Sequence, residues 1–481
     1  MTESRNDRMR TLKQRLGRSL KQLAGGAIRP THAPTQVIYI PSVVEASQTY
    51  ARSVIDLCLH ISEAMLAIGA SAADVVATVL RISNSYGISG MHVDITFTSI
   101  TISLHRGIDE DPLSIMRIVR VRTTDYTRLQ NVYLLIDEIT SAESPLPINE
   151  ARDRLSYILK QPHPYRRWVV TAGKAVLAAG VVVMFDASVL LVAVAAVSAL
   201  ISDFITRRLG KWAVPAFFAQ MAAAAATTII AVALFWLRSL DIEIPGSDSP
   251  TVIVISGIIM LLSGIGLTAS ARDAIDGYYV TATARGLEVL MLTLGLSVGI
   301  SVVLSASFRL GIPVAVSDTL GEGINLVPGM IGSAIIGVGF ALTSYVRFLL
   351  VPLMAASASA VFAVYYMVLP LAPEPGLAPA VAGVVAGVIA YFAYRWIKVP
   401  EGAMNMVGII ALIPGLAVYR ALYAIMGSEY GADEALPALV LAIATGVGLA
   451  AGTTIGGFAA RRTFGLDRAA LLALRRTRKP R

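Results

Sequence analysis

The chain has 481 residues and a formal net charge of +8, with 55% of residues hydrophobic and 15% charged, and its mean hydropathy is +0.67. Soluble globular proteins carry about a quarter charged residues, so this composition excludes that class and describes an integral membrane protein. The one cysteine, Cys58, excludes an intrachain disulfide and suits a polar region kept in a reducing compartment.

Residues 1–44 read as a basic amphipathic helix and a linker. Met9, Leu12, Leu16, Leu20 and Leu23 recur at three- and four-residue steps, with Arg8, Lys13, Arg15, Arg18 and Lys21 between them. Such a helix lies on anionic inner-leaflet lipid, or the same bases form a simple tail. No apolar run accompanies them, so the segment is not a secretory signal peptide.

Residues 45–165 hold many of the chain's charges and read as a small soluble α+β domain. Leu57, Ile61, Met65 and Ile68 stand at helical steps, and "SAADVV" starts a second helix behind the N-cap Ser71. The stretch "GMHVDITFTSITISLHRG", residues 90–107, alternates with period two. Met91, Val93, Ile95 and Phe97 share one face, and His92, Asp94, Thr96 and Thr98 share the other. The apolar phase then moves to Ile100, Ile102 and Leu104, so a turn or bulge near Ser99 resets the register. "LSIMRIVRVRT" supplies a further strand and "DYTRLQNVYLLIDEITSA" a helix. His92, Asp94, Thr96 and His105 form a candidate surface. Together with Ser103 or Thr101 they contain the residue types of a hydrolytic triad or a metal site. No GxSxG elbow or HExxH spacing accompanies them in this segment, so a solvated sheet face or a ligand-sensing surface is the plainer reading.

A membrane helix needs about 20 apolar residues. Runs of that kind lie near 168–185, 188–206, 213–236, 251–271, 285–307, 329–346, 349–369, 377–394, 403–424 and 436–459, giving ten expected spans. They divide into an N-terminal membrane half, 166–310, and a C-terminal half, 311–462, followed by a basic tail, 463–481. Lys and Arg mark the cytoplasmic side. With the soluble domain inside, Arg166, Arg167, Arg207, Arg208, Arg272, Arg347, Arg395 and Arg461 fall in inner loops, whereas Asp186, Asp241, Asp318, Glu374 and Asp433 fall outside. The chain is therefore expected to be a multi-pass inner (plasma) membrane protein with both termini cytoplasmic.

Val214-Pro215 precedes Gln220, and Val399-Pro400 precedes Asn405 at the same spacing. That likeness lays spans one to four on spans seven to ten as a parallel repeat, which would make Gln220 and Asn405 symmetric amides. Their plainer role is interhelical hydrogen bonding. Ionisable groups at membrane depth invite a functional reading. Asp203 and Arg207 at i,i+4 read as a surface ion pair, and Arg285 and Glu288 pair locally at i,i+3. Asp273 and Asp276 instead follow the glycine-loosened "SGIGLTAS" and are able to titrate or hold a substrate ammonium. Pro414-Gly415 breaks the ninth span and frees backbone N–H groups for a carboxylate.

"HVDIT" at 92–96, "DAIDG" at 273–277, "TATAR" at 281–285 with Glu288, and "PGLAVYRALYA" at 414–424 resemble the threonine/serine exporter family. The likeness runs from about residue 45 to 462. It implies ten spans, a cytoplasmic N-terminal domain, and proton-driven efflux of L-threonine and L-serine. Its motif positions fall on Asp273, Gly277, Arg285 and Glu288, and on Pro414, Gly415, Tyr419 and Arg420. Asp276 departs from the pattern, as does the lack of a long polar tail beyond "RRTRKPR". A proton-coupled exporter is thus the leading reading. A membrane-tethered hydrolase, with the N-terminal domain cleaving a peptide or ester, is its rival. Neither needs a cofactor, metal or nucleic acid, and the absence of GxxxxGK[ST] removes a P-loop motor. The expected partners are the amino acid, protons and membrane lipid, with a homo-oligomer left open.

Overall fold

The computed structural model describes residues 48–105, 111–119, 123–141, 145–239, 264–312, 325–413, 417 and 432–464. Polar sequence comes first. Helix α1 (Gln48–Ala67) buries Val54, Ile55, Cys58, Ile61 and Met65, and α2 (Ala72–Ser85) starts where the Ser71 side chain accepts from the Asp74 N–H at 3.1 Å. Strands β1 (Met91–Ile95), β2 (Ser99–Leu104) and β3 (Leu113–Ile118) make an antiparallel sheet in that order. Ile95 pairs with Ile100, and reciprocal backbone bonds between Thr96 and Ser99 close the hairpin, so the expected register reset is a tight turn. Phe97 sits in that turn rather than on the apolar face of β1. Helix α3 (Tyr126–Ser141) follows, then α4 (Ile148–Lys160), which the sequence reading did not foresee.

The apolar part supplies α5 (Arg167–Met184), α6 (Val189–Lys211), α7 (Ala216–Ser239), α8 (Gly264–Ile275), α9 (Tyr279–Arg309), α10 (Leu326–Thr343), α11 (Val351–Val368), α12 (Leu377–Ile397), α13 (Glu401–Ile409) and α14 (Ala432–Phe464). Among the described residues eight helices are long and apolar enough to cross a membrane. The chain is a multi-pass, mainly helical membrane protein with a small sheet. The expected fourth and ninth spans are described only in α8 and in α13 with its 3-10 extension to Leu412, where Ile413 turns extended.

In lipid, helices associate where small residues let backbones touch. On α5 and α10, a Cβ added at Gly332 would meet Met184 N at 2.5 Å, and one at Gly339 would meet Leu177 N at 2.5 Å. Glycines close two other pairs in the same way. Gly295 and Gly299 set α9 against Phe217 and Met221 of α7, and Gly448, Gly452 and Gly456 set α14 against Gly376, Ala380 and Val384 at the start of α12. Relative to the expected spans, third packs on fifth as eighth packs on tenth, and first packs on sixth. The recurrence interval is five spans. The six-span interval drawn from Val-Pro had a different basis: both prolines merely open helices, α7 and α13.

The α/β region, residues 48–165, seats on one end of the bundle. Tyr126 N donates to Ser344 O at 3.1 Å, Thr127 Oγ1 to Tyr345 O at 2.5 Å, Gln130 Nε2 to Ile397 O at 3.2 Å, and the Tyr165 hydroxyl to Val346 O.

Candidate functional site

The "DAIDG" segment folds as a helix end. Tyr278 N donates to Asp273 O at 2.8 Å and Gly277 N to Ala274 O at 3.1 Å, with Gly277 at φ 89°. This is the paired closure of a left-handed C-terminal cap, and it is why a glycine stands there. The turn lays α9 back along α8. Ser270 Oγ donates to Ala282 O at 2.6 Å across the two helices, and Arg285 Nη1 reaches Asp273 Oδ2 at 3.0 Å. Asp273 is 2% exposed, so this pair is taken out of water.

Asp276 lies on the same turn, with Arg272 Nε 3.9 Å from its Oδ2. Burial lifts its carboxyl above the ordinary carboxylate value, with Asp74 acting in the same direction, against the lowering effect of Arg272 and Arg461. Tyr278 between them is raised chiefly by burial, then by the carboxylates of Asp276, Asp273, Asp74 and Asp94. The α/β region thus brings two acids toward this turn. It also touches it directly, since Thr281 Oγ1 donates to Ile95 O of the β1–β2 hairpin at 3.1 Å.

The local pair expected between Arg285 and Glu288 does not form: Arg285 turns to Asp273, and Glu288 is exposed. The expected i,i+4 pair Asp203–Arg207 does form, at 2.7 Å, but not as a surface pair. Asp203 is buried and takes Lys174 Nζ at 2.5 Å, Arg207 Nη2 at 2.7 Å and Thr171 Oγ1 at 3.1 Å. Lys174 escaped the sequence reading, although a lone lysine inside an apolar run was the available signal. Gln220 on α7 and Asn405 on α13 are both buried. The five-span packing gives them no symmetric relation. Pro414, Gly415, Tyr419 and Arg420 lie outside the described residues.

On the sheet, His92, Asp94 and His105 are exposed and Thr96 is half-buried. The two imidazoles meet edge to face with centroids 5.5 Å apart, while Ser103 Oγ bonds Ser114 Oγ at 2.8 Å rather than an imidazole. That arrangement activates no nucleophile. Among the described residues no group of three His, Cys, Asp or Glu is placed to hold a metal.

A second polar cluster locks the junction. Asp125, fully buried, takes His163 Nδ1 at 2.7 Å and Arg128 Nε at 3.4 Å, and the His163 ring stacks on Tyr345 at 4.3 Å. Tyr345 has a left-handed backbone, φ 53°, as does Lys398, φ 59°, whose Nζ meets Asp137 at 3.0 Å.

Residues 56–306 match a family described as "Putative threonine/serine exporter", and residues 329–458 one described as "Threonine/Serine exporter, ThrE". The chain is 33% identical over 423 residues to a "Probable threonine/serine exporter" of Mycobacterium tuberculosis, covering 85% of this chain and 77% of that relative. It is 29% identical over 416 residues to a "Threonine/serine exporter" of Corynebacterium glutamicum, covering 85% and 83%. No solved structure matches it.

Proposed function

This chain belongs to the threonine/serine exporter family, a family of transporters rather than enzymes, and from that premise we propose that it exports L-threonine and L-serine from the cytoplasm across the inner membrane, driven by the proton gradient. The observation that carries the reading is the buried Asp273–Arg285 pair, 3.0 Å apart, beside the weakly paired Asp276. An exporter must bind a zwitterion and let it go. A carboxylate that exchanges one cationic partner for another does so without leaving a bare charge in low dielectric.

In this reading Asp273 alternates between Arg285 and the substrate ammonium. Asp276 carries the proton, because burial already favours its neutral form. The ten-span arrangement with both termini cytoplasmic belongs to the same proposal. It is supported by the basic loops around Arg166, Arg207, Arg347 and Arg461. The seating of the α/β region at residues 344–347 and 397–398, beside Arg347, supports the same reading.

The test is efflux of labelled threonine from proteoliposomes holding the full chain, with and without a protonophore. Wild-type efflux should collapse when the gradient is dissipated, and Asp273→Asn should reach the membrane yet export nothing. Efflux indifferent to the protonophore would remove proton coupling, and wild-type rates in Asp273→Asn would remove that residue.

A further inference from the structure

Arg272 is a guanidinium largely buried and without a hydrogen bond among the described residues. Its side chain is 17% exposed, its Nε is buried with no acceptor, and the nearest carboxylate oxygen, on Asp276, stands 3.9 Å away. A guanidinium carries five donors in a planar fork. Burying it with those donors unused costs free energy, unless a ligand supplies the acceptor. Two arginines of other helices are ion-paired more closely: Arg285 of α9 with Asp273 at 3.0 Å, and Arg461 of α14 with Glu401 at 2.6 Å.

The surroundings come from three parts of the chain. The charge on Arg272 acts on the hydroxyls of Tyr126 and Tyr133, both from α3 of the α/β region, and both stay neutral through burial. Asp74, from the first turn of α2, lies within electrostatic range of Tyr133 and of Asp276. Glu401, opening α13, acts on Tyr133 as well. A cation whose Nε has no acceptor among the described residues therefore stands 3.9 Å from the Asp276 carboxylate, beside the turn where Thr281 meets the β1–β2 hairpin of the α/β region.

We propose that Arg272 receives the carboxylate of the transported amino acid, while Asp273 takes its ammonium group in exchange for Arg285, in a site that the α/β region and the membrane helices build together. This rests on the export reading and deepens it. A planar, bidentate match of guanidinium to carboxylate orients the zwitterion. A substrate lacking the carboxylate leaves the fork unpaired and is rejected. The site so formed is complete without the free backbone groups expected at Pro414-Gly415.

The experiment uses the full chain in proteoliposomes, with labelled L-threonine as substrate and L-serine or L-threonine amide as competitor. Wild type should be inhibited by serine and ignored by the amide. Arg272→Gln should raise KM for threonine at least tenfold and lose the distinction between the two competitors, while Arg272→Lys should keep part of it. Should Arg272→Gln transport nothing, ligand-induced thermal stabilisation in detergent decides instead. Threonine should stabilise wild type and not the variant. Stabilisation retained in the variant, or a wild-type KM with the distinction intact, overturns the proposal. A wild-type chain that exports no threonine overturns the functional reading itself.

Discussion

Asp273 and Arg285 are twelve positions apart in sequence and 3.0 Å apart in space, joined across the turn that ends α8 and opens α9. Removing one member of a buried pair strands the other charge, at about 3–5 kcal/mol, whereas removing both is often close to neutral. Asp273→Asn and Arg285→Gln should each lower the unfolding temperature in detergent. The double variant should recover most of that loss but no transport. Recovery of transport in the double variant would reduce the pair to a structural role.

Asp276 sets a pH dependence whose sign follows from its environment. Its folded pKa lies above the ordinary 3.8, so the native state binds more protons than the unfolded state between the two values, and stability falls as pH rises through that window. The charges acting on it are Arg272 and Arg461, which oppose the shift, and Asp74, which adds to it. Asp276→Asn should flatten the acid side of the profile and be neutral or stabilising at pH 7. A steeper profile in the variant would refute the assignment.

Asp203 neutralises two cations, Lys174 at 2.5 Å and Arg207 at 2.7 Å. Its replacement by Asn should cost about 2–4 kcal/mol, below the upper range for a buried pair because both cations keep some solvent. Denaturant unfolding of the purified protein measures this, and an effect under about 0.5 kcal/mol, the size of an ordinary surface change, would contradict the geometry.

Gly332→Ala and Gly339→Ala should push α5 and α10 apart, because the new methyl falls 2.5 Å from backbone nitrogen in each case. Gly210→Ala meets nothing within 4 Å and should instead gain up to about 1 kcal/mol from helix propensity. Equal behaviour of the three variants on heating would dismiss backbone contact as the basis of the packing.

His92→Ala and His105→Ala alter exposed rings whose only described ring contact is with each other. Each should change stability by less than about 0.5 kcal/mol and leave ester and peptide hydrolysis at background. Robust turnover by the wild-type chain, abolished in His92→Ala, would revive the hydrolase reading.

Eight of the ten expected spans are long apolar helices among the described residues, and they were legible because hydropathy over 18 or more residues is a collective signal that few local details disturb. Their ends were not: α9 begins at Tyr279 rather than near 285, since a buried partner lets Arg285 sit inside a helix. Helix α4 was missed for lack of a long apolar stripe, though Glu150 and Arg154, bonded at 2.7 Å, had the i,i+4 spacing of a surface helix. Charge partners were the least legible part. Sequence offers neighbours three or four places away, and so proposed Glu288 for Arg285, whereas folding supplied Asp273. The repeat was misphased for a related reason. Two proline dipeptides were easier to see than the four-residue glycine spacing at 448, 452 and 456 that governs contact.

Four of the bonds seating the α/β region end on main-chain oxygens, at Ser344, Tyr345, Val346 and Ile397. A carbonyl is supplied by every residue type, so drift in those loops erases none of these acceptors. Only the donors Thr127, Gln130 and Tyr165 are exposed to mutation. Divergent members of a lineage can thus keep the same joint under quite different loop sequences. A chimaera taking residues 48–165 from a relative that retains the three donors should seat on this bundle and sustain export.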